Sequence, residues 1–475
     1  MRVAHFKVAL FILFTLAPVA ALLAFGAVEG YGRAQTEFPP LGKVLRGKKG
    51  LFDQFGNAVL ERSIVRRMAV QVRNLTGYRL VGFVDNERIV SGNDGWLFYG
   101  GEFNSGRCID EQDTARRLRI VAAVMDVGRA AGIDMVFSMS PNKSTIYPEA
   151  LNATVRGYWR CRVESIAALR RLIRRELPGL IDHTEPLLAE KMRHPDIPLY
   201  FKTDTHWTRY GGAIALRQLL AAIYPDADIA APRLSDEVFI KKTDLTTMLV
   251  LPADEQGPVA EPLLARELEL PADRKAVKTL IVHDSFYGTI EPQILEAFPD
   301  PVTMLNINDP GRVRVDGLSA DRLIINVIER KFLLDRDLLT WDEDIPIAIL
   351  KRNMRRAQDC GAFETADAAA GGEKLDRRNV AIRAVASGDL PCLRLSMTVK
   401  KKRTDLEIAL PDPETGVFEP GRILGHRIKR GTQTVAFVLP AYTAGSNVEI
   451  SAGDATISAI EVGEIPSAGD ASDLP

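Results

Sequence analysis

The chain has 475 residues, of which 46% are hydrophobic and 26% are charged, and its formal net charge is −1. A chain of this length exceeds what one hydrophobic core organises, so we expect two domains and their connections. Because positive and negative charges almost cancel, the composition gives no electrostatic basis for binding nucleic acid.

The amino terminus differs from the rest of the chain. Arg2 and Lys7 precede an apolar run of 21 residues from Val8 to Val28. This run is long enough to cross a bilayer as a helix, and it exceeds the usual apolar core of a signal peptide. The positive charges before it would keep the amino end in the cytoplasm. We therefore expect residues 1–29 to form an uncleaved signal anchor, with a cleaved signal peptide as the alternative. In either case the rest of the chain is exported.

Residues 30–85 are interpreted as a polar, partly helical lead-in, after which helices and strands alternate. An Asp94-Gly95 turn leads into an aromatic strand, and a helix with apolar spacing follows over Thr114–Ala131. Short β-branched runs typical of buried parallel strands are found at Leu280–Val282, Val302–Leu305 and Leu323–Val327. The alternation predicts an α/β domain over residues 86–358, with a parallel sheet between helices.

The pattern changes after this domain. Residues 359–374 are rich in Ala and Gly and are interpreted as a linker. From 375 to 465, apolar residues recur at every second position, as in Leu393 and Leu395, and the runs are separated by Gly, Pro and Asp turns. This pattern predicts an all-β sandwich. Residues 466–475 are expected to be a disordered tail.

Candidate catalytic residues come from two separated segments. Asp204 and His206 stand two residues apart in a segment with an extended pattern, so that the carboxylate can reach and orient the imidazole. A histidine oriented in this way is a general base for a nucleophile. Ser285 follows the apolar strand Leu280–His283, and α/β enzymes place nucleophiles at the carboxyl edge of the sheet. We therefore predict Ser285 as nucleophile, His206 as base and Asp204 as the group that orients His206.

The four cysteines, Cys108, Cys161, Cys360 and Cys392, fit an oxidising compartment, and none belongs to a CxxC motif. They allow three pairings. The pairing that respects the domain boundaries joins Cys108 to Cys161 and Cys360 to Cys392, and free buried thiols are the alternative.

The sequence around Ser285 resembles the GDS block of SGNH hydrolases, with His283 in place of the usual glycine. Further blocks occur in one order over roughly residues 85–335: Asp-Gly-Trp-Leu-Phe-Tyr (94–99), Pro-Asn-Lys through Tyr-Pro-Glu (141–149), Thr-Asp-Thr-His-Trp-Thr (203–208), His-Asp-Ser-Phe (283–286) and Ile-Glu-Arg (328–330). Together they resemble the bacterial alginate O-acetyltransferases, which are periplasmic SGNH hydrolase-like proteins that decorate exopolysaccharide. In that family the Asp-x-His block also precedes the Ser block.

The resemblance implies the same roles for Ser285, His206 and Asp204, and it implies a periplasmic protein held at the inner membrane. Some members carry a carbohydrate-binding β-sandwich after the catalytic domain, and residues 375–465 are compatible with one. The family also implies a multi-spanning membrane acyltransferase that supplies the acetyl group. No cofactor is expected.

Four further residues are weaker candidates for substrate binding. Asn142 and Lys143 follow an inner strand, where an oxyanion donor or a polymer contact could lie, and structural satisfaction of the loop is the alternative. Tyr147 and Trp207 could stack on sugar rings, with packing as the alternative. A metal site formed by His283, Asp284, Asp204 and His206 is a minor alternative, because no helical ligand spacing accompanies it.

The sequence therefore predicts an O-acetyltransferase that acts through an acetyl-serine on an exported polysaccharide, with alginate the first candidate. An acetyl esterase with the same triad and a non-catalytic polysaccharide-binding scaffold are the alternatives. The triad alone does not distinguish transfer from hydrolysis, because both reactions share its chemistry.

Overall fold

The structure is a computed structural model and describes residues 39–40, 43, 50–62, 64–78, 88–103, 109–251, 253–263, 276–307, 319–334, 339, 344–361, 363–367, 378–382, 384–385 and 389–466. The predicted anchor over residues 1–29 lies outside these ranges, as does all but the first residue of the predicted tail. Within them, no helix is both long and apolar enough to cross a membrane. The membrane anchor therefore stays a prediction from the sequence.

The described part of the lead-in is helical, and the α/β region follows it. In chain order the elements are α1 Leu51–Arg62, α2 Ile64–Thr76, β1 Ile89–Ser91, β2 Leu97–Tyr99, α3 Glu111–Ala130, β3 Asp134–Ser140, α4 Lys143–Ile146, α5 Ala153–Glu176, β4 Ile181–Asp182, α6 Thr184–Arg193, α7 Arg209–Ile223, β5 Leu234–Lys242, α8 Asp244–Met248, β6 Asp254–Ala260, β7 Thr279–His283, α9 Ser285–Gly288, α10 Glu291–Ala297, β8 Val302–Asn306, β9 Arg322–Ile328, α11 Glu329–Leu334 and α12 Asp344–Arg356.

Five strands form a parallel sheet in the order β4-β3-β9-β7-β8, which confirms the predicted α/β domain. Alternate residues of one strand belong to different cores, which shows that both faces of the sheet are covered. Leu323 and Ile325 of β9 pack into the core shared with α3 and α5, whereas Ile324 packs into the core shared with α7. Burial on both faces is the reason that these strands appear in the sequence as continuous apolar runs.

The carboxyl-terminal region is antiparallel and all-β, as predicted, but its strands belong to one sheet instead of a two-sheet sandwich. They are β10 Glu364–Asp367, β11 Arg378–Ala381, β12 Leu390–Pro411, β13 Phe418–Val438, β14 Asn447–Ser451 and β15 Ala455–Ile465. β12 and β13 are 22 and 21 residues long and pair with each other through a register shift after Val399. β15 pairs with the first half of β12 and β14 with its second half. The sheet is continuous because the two long strands run through both halves.

The predicted linker is shorter than expected, because Glu364–Asp367 forms β10 and pairs with β15. The predicted disulfide between Cys360 and Cys392 is confirmed. Cys161 is also disulfide-bonded. Its predicted partner, Cys108, lies outside the described residues.

The β region packs directly on the α/β region through buried polar groups. The start of β13 lies against α3, where the Arg119 Nε–H donates to the Pro420 carbonyl at 2.9 Å. Gly421 has φ +101°, and a Cβ at this position would lie 2.3 Å from the Arg116 carbonyl oxygen, so the backbones approach closely there. Asn353 of α12 donates to the carbonyls of Val127 and Val438 at 3.2 and 2.8 Å. The two regions therefore share an interface that includes buried polar contacts.

Candidate active site

The ends of three neighbouring strands bring the candidate residues to one edge of the sheet. Asn142 follows β3, Glu329 follows β9 and Ser285 follows β7, and these strands are adjacent in the order β3-β9-β7. The carboxyl ends of parallel strands meet at the same edge, which is where ligands bind in open α/β sheets.

Ser285 is exposed at the first position of α9, directly after a completely buried strand. Asp284 is the N-cap: one carboxylate oxygen accepts from the Phe286 N–H at 2.9 Å, and the other accepts from the Ile328 N–H at 2.6 Å. The first N–H groups of a helix have no acceptor within it, so the Ser285 N–H requires an acceptor from outside the helix. The same carboxylate thus starts the helix and ties it to the end of β9.

Asp204 and His206 form the predicted pair. The Asp204 Oδ1 lies 2.7 Å from His206 Nδ1 and also accepts the main-chain N–H of His206 at 3.0 Å. Asp204 is completely buried and His206 is 9% exposed. Burial alone would raise the pKa of Asp204, but the hydrogen bond from His206 and the positive charge of Lys241 outweigh it and hold that pKa well below its ordinary value.

The structure places His206 beside the turn that carries Ser285. Its ring centroid lies 4.9 Å from the ring of Phe286, the residue after Ser285. The buried His206 Nε2 has no hydrogen-bond partner among the described residues. A catalytic hydrogen bond to Ser285 is therefore not formed in this state, and such bonds often tighten only when substrate binds.

Trp207 and Tyr147, the predicted sugar-stacking residues, are packing residues instead. Trp207 is 1% exposed, and its indole N–H donates to the Phe286 carbonyl at 3.2 Å, which ties the His206 segment to α9. Tyr147 is 8% exposed, and its hydroxyl accepts from the Leu199 N–H at 2.9 Å. Both rings lie against neighbouring aromatic side chains, so the packing alternative is correct for both.

Lys143 is buried as well and does not reach a polymer. Its ammonium donates to the main-chain carbonyls of Phe201, Lys202 and Asp204 at 3.1, 3.0 and 2.6 Å. These three bonds use all three of its protons. Burial lowers the pKa of Lys143 to about 8, against the opposing pull of nearby carboxylates. Lys143 therefore holds the loop that carries Asp204, as the structural alternative proposed.

Asn142 is the one weaker candidate that keeps a free donor. Its main-chain N–H donates to the buried Glu329 carboxylate at 3.0 Å, and its side-chain oxygen accepts from Arg330 at 3.2 Å. Its buried Nδ2 has no hydrogen-bond partner in the described part of the chain. An amide held rigidly with a spare N–H is suited to stabilise an oxyanion.

The hairpin β5–β6 also lies at the site, although no motif in the sequence indicated it. Glu255 of β6 accepts from the main-chain N–H groups of Lys202 and Thr203 at 2.6 and 2.9 Å. Lys241 and Asp244, at the end of β5 and the start of α8, contact Asp204 and His206. In the sequence Lys241 is one of two adjacent lysines at the end of a strand, which normally indicates solvent exposure.

Oxygens of Asp204 and Asp244 and a nitrogen of His206 lie within 4.8 Å of one another, which is a spacing that could accommodate a cation. The Lys241 ammonium already lies 3.0 Å from Asp204 Oδ1, however, and it supplies positive charge at that place. His283 and Asp284 do not join this group among the described residues; the His283 Nδ1 donates to the Asp284 carbonyl at 2.6 Å. Among the described residues, the four residues considered from the sequence therefore do not form one cluster.

Residues 89–272 match the family model described as "SGNH hydrolase-like domain, acetyltransferase AlgX". A probable alginate O-acetylase AlgJ from Pseudomonas syringae pv. tomato is 29% identical over 179 residues, which cover 34% of this chain and 41% of that protein. The corresponding protein from Pseudomonas fluorescens is 30% identical over 139 residues, or 28% of this chain and 33% of that protein. The chain thus spans less than half the length of these curated relatives.

Among solved structures, the O-acetyltransferase domain of Pseudomonas putida AlgJ is similar at 20% identity with a TM-score of 0.38, covering 55% of this chain and 98% of that chain. Pseudomonas aeruginosa AlgX is similar at 15% identity with a TM-score of 0.40, covering 85% and 99%. The family match includes Asp204 and His206 and ends before Ser285. The family model and the curated relatives confirm the resemblance to alginate O-acetyltransferases that the sequence motifs indicated.

Proposed function

We propose that the chain, in which residues 89–272 match the family model of an SGNH hydrolase-like acetyltransferase domain, transfers acetyl groups to hydroxyls of an exported polysaccharide through an acetyl-serine. A fold hosts many chemistries, so the residues of the site have to carry the argument. The proposed roles are Ser285 as nucleophile, His206 as general base and Asp204 as the group that orients His206.

One observation carries this proposal. A buried, carboxylate-held imidazole has its Nε2 unpartnered among the described residues, and it lies against the ring of Phe286, the residue that follows the exposed Ser285 at the carboxyl edge of a parallel sheet. Because Nδ1 donates to Asp204, Nε2 is the basic nitrogen of the neutral ring. A buried nitrogen without a partner is costly unless a substrate or nucleophile uses it.

In the first half-reaction, His206 Nε2 takes the proton of the Ser285 hydroxyl while Oγ attacks the carbonyl carbon of the acetyl donor. The tetrahedral intermediate carries a negative oxygen, for which the Ser285 N–H and the Asn142 Nδ2 are the proposed donors. The intermediate collapses with loss of the donor's leaving group, which receives the proton from His206. The product is an ester between the acetyl group and Ser285 Oγ.

In the second half-reaction, a sugar hydroxyl loses its proton to His206 Nε2 and attacks the acetyl-Ser285 carbonyl. Collapse of the second intermediate breaks the bond to Ser285 Oγ, which regains the proton from His206. Water in the place of the sugar would give hydrolysis. Transfer therefore requires that the acceptor sugar outcompete water at the exposed Ser285.

We propose alginate as the acceptor, because the curated relatives are named as probable alginate O-acetylases. The apolar run at Val8–Val28 supports a periplasmic protein anchored to the inner membrane. A multi-spanning membrane acyltransferase would supply the acetyl group there. The β region with residues 375–465 is proposed to bind the polymer.

The test is to incubate the chain with an activated acetyl ester, with and without oligomers of uronic acid. We expect one acetylated peptide that contains Ser285, release of acetate without acceptor, and acetylated oligomer with acceptor. Ser285→Ala should abolish labelling and transfer while thermal unfolding stays unchanged. Ser458→Ala is the matched control for labelling, because it removes another exposed hydroxyl, on β15 of the β region, and should leave the label intact.

If uronate and neutral oligomers do not reduce acetate release and are not acetylated, the result would favour the esterase. Polymer binding without any labelling would favour the non-catalytic scaffold. A label on a peptide that lacks Ser285 would remove Ser285 as the nucleophile.

A further inference from the structure

Two charged residues that the proposed mechanism does not use lie against the Asp204–His206 pair. The Lys241 ammonium is 3.0 Å from Asp204 Oδ1 and 3.5 Å from His206 Nδ1. The Asp244 main-chain N–H donates to Asp204 Oδ2 at 2.8 Å, and the Asp244 carboxylate lies 3.8 Å from His206 Nδ1. Both residues come from one short stretch at the end of β5.

These contacts complete the surroundings of the Asp204 carboxylate. Oδ1 accepts from His206 and Lys241, whereas Oδ2 accepts from Asp244. Asp244 also accepts the Thr205 N–H at 2.8 Å, so it holds the residue between the two triad members. The position of Asp204 therefore depends on the hairpin as well as on its own loop.

The two charges act on His206 in opposite directions. A positive ammonium beside the ring disfavours the imidazolium, and a negative carboxylate favours it. Both groups are partly buried, so solvent and salt screen them less than they screen surface charges. Burial and the charge of Asp204 raise the pKa of Asp244. The charge of the Asp244 carboxylate therefore depends on the other charged groups of the cluster.

We propose that Lys241 and Asp244 are positioning residues of the triad, which fix the Asp204 carboxylate and set the pH range in which His206 accepts a proton. This inference rests on the proposed function. Among the described residues, the other charged groups near the cluster are Asp204 itself, Lys143, which donates to the Asp204 carbonyl, and Glu255, which accepts from the main-chain N–H groups of Lys202 and Thr203. Lys241 and Asp244 are the pair that lies beside the His206 ring with opposite charges.

The experiment is an NMR titration of the His206 ring in the full chain with 13C-labelled histidine, assigned with His206→Gln, beside the pH profile of acetyl-ester turnover. Lys241→Met should move the His206 midpoint and the acidic limb of the profile upward by about one pH unit, because a nearby positive charge is lost. Asp244→Asn should move both downward. Lys241→Arg, which retains the charge, should stay near the wild type.

Lys242→Met is the matched control, because Lys242 is exposed at the next position of β5 and its loss removes the same charge from the same strand. Equal midpoints in Lys241→Met and Lys242→Met would overturn the inference, as would shifts of the same sign in Lys241→Met and Asp244→Asn. If the midpoints move as expected while the wild type labels no serine, the proposed function fails and the electrostatic role of the two residues stands.

Discussion

The two segments that meet at the site are built in different ways. Ser285 lies on a strand-to-helix turn whose cap, Asp284, is its sequence neighbour. Asp204 and His206 lie in the irregular loop 201–206, which the Tyr200–Trp207 bridge closes at its base.

The loop has few backbone partners of its own, so side chains from distant segments pair its polar groups. Lys143 binds three of its carbonyls, and Glu255 and Asp244 bind its N–H groups. Buried backbone polar groups require partners of this kind. The base and its orienting carboxylate are therefore positioned chiefly by tertiary contacts, whereas the serine is positioned by the local helix cap, with remote contacts to Ile328 and Trp207 added.

Apart from removal of the nucleophile itself in Ser285→Ala, the strongest loss of activity is expected from a change in the loop. Asp204→Asn keeps the shape of the side chain but removes the charge that faces His206 Nδ1 and Lys241. We expect the rate of acetyl transfer to fall by a factor on the order of 10³–10⁴, as in other triads. This fall in rate is measured as turnover of an activated acetyl ester. A loss of less than about tenfold, with the fold intact, would contradict the role of Asp204 as the orienting group.

Lys143→Met should destabilise the protein, because it removes a donor from the carbonyls of Phe201, Lys202 and Asp204. Among the described residues, only the Lys202 carbonyl keeps another donor, the Leu97 N–H at 2.9 Å. We expect a loss of about 3 kcal/mol in the free energy of unfolding at neutral pH, measured by urea denaturation. Asn142→Ala is the matched comparison, since its Nδ2 has no described partner to lose, and we expect a smaller loss of stability.

The pH dependence of stability gives a second test of this buried lysine. The folded-state pKa of Lys143 is about 8, below the ordinary 10.5, so the unfolded chain binds more protons between these values. The contribution of Lys143 to the free energy of unfolding therefore rises with pH in that window, by about 2 kcal/mol between roughly pH 7 and 9.5. The difference in unfolding free energy between wild type and Lys143→Met should grow accordingly. A difference independent of pH would show that Lys143 is not desolvated.

The smallest effect on turnover is expected from a change at Tyr287, near the serine. Tyr287, two residues after Ser285, has its hydroxyl 2.8 Å from His183 Nε2 and accepts from the Ser138 hydroxyl at 3.2 Å. Burial lowers the pKa of His183 to about 4, so the ring stays neutral at physiological pH. Tyr287→Phe should cost about 1 kcal/mol of stability and change turnover little. A rate loss comparable to that of Asp204→Asn would show that the serine also depends on remote contacts.

Sequence reasoning was most successful where local pattern and chemistry coincide. The buried strands β7 and β9 follow from apolar runs, which are a local property. The Asp204–His206 contact was predicted because two residues of an extended segment share a side. The period-two pattern identified the strands of the β region, but it did not show that β12 and β13 join both halves into one sheet.

Three features follow from the sequence without any knowledge of long-range contacts: the buried strands β7, β8 and β9, the Asp204–His206 pair, and the position of Ser285 at the end of a buried strand. Other features depend on how distant segments pack. Lys143, Tyr147 and Trp207 are buried because residues remote in sequence supply their partners. Packing also brings β5 beside His206. The charge environment of the base depends on which remote side chains lie within a few ångströms, and no local pattern encodes that distance.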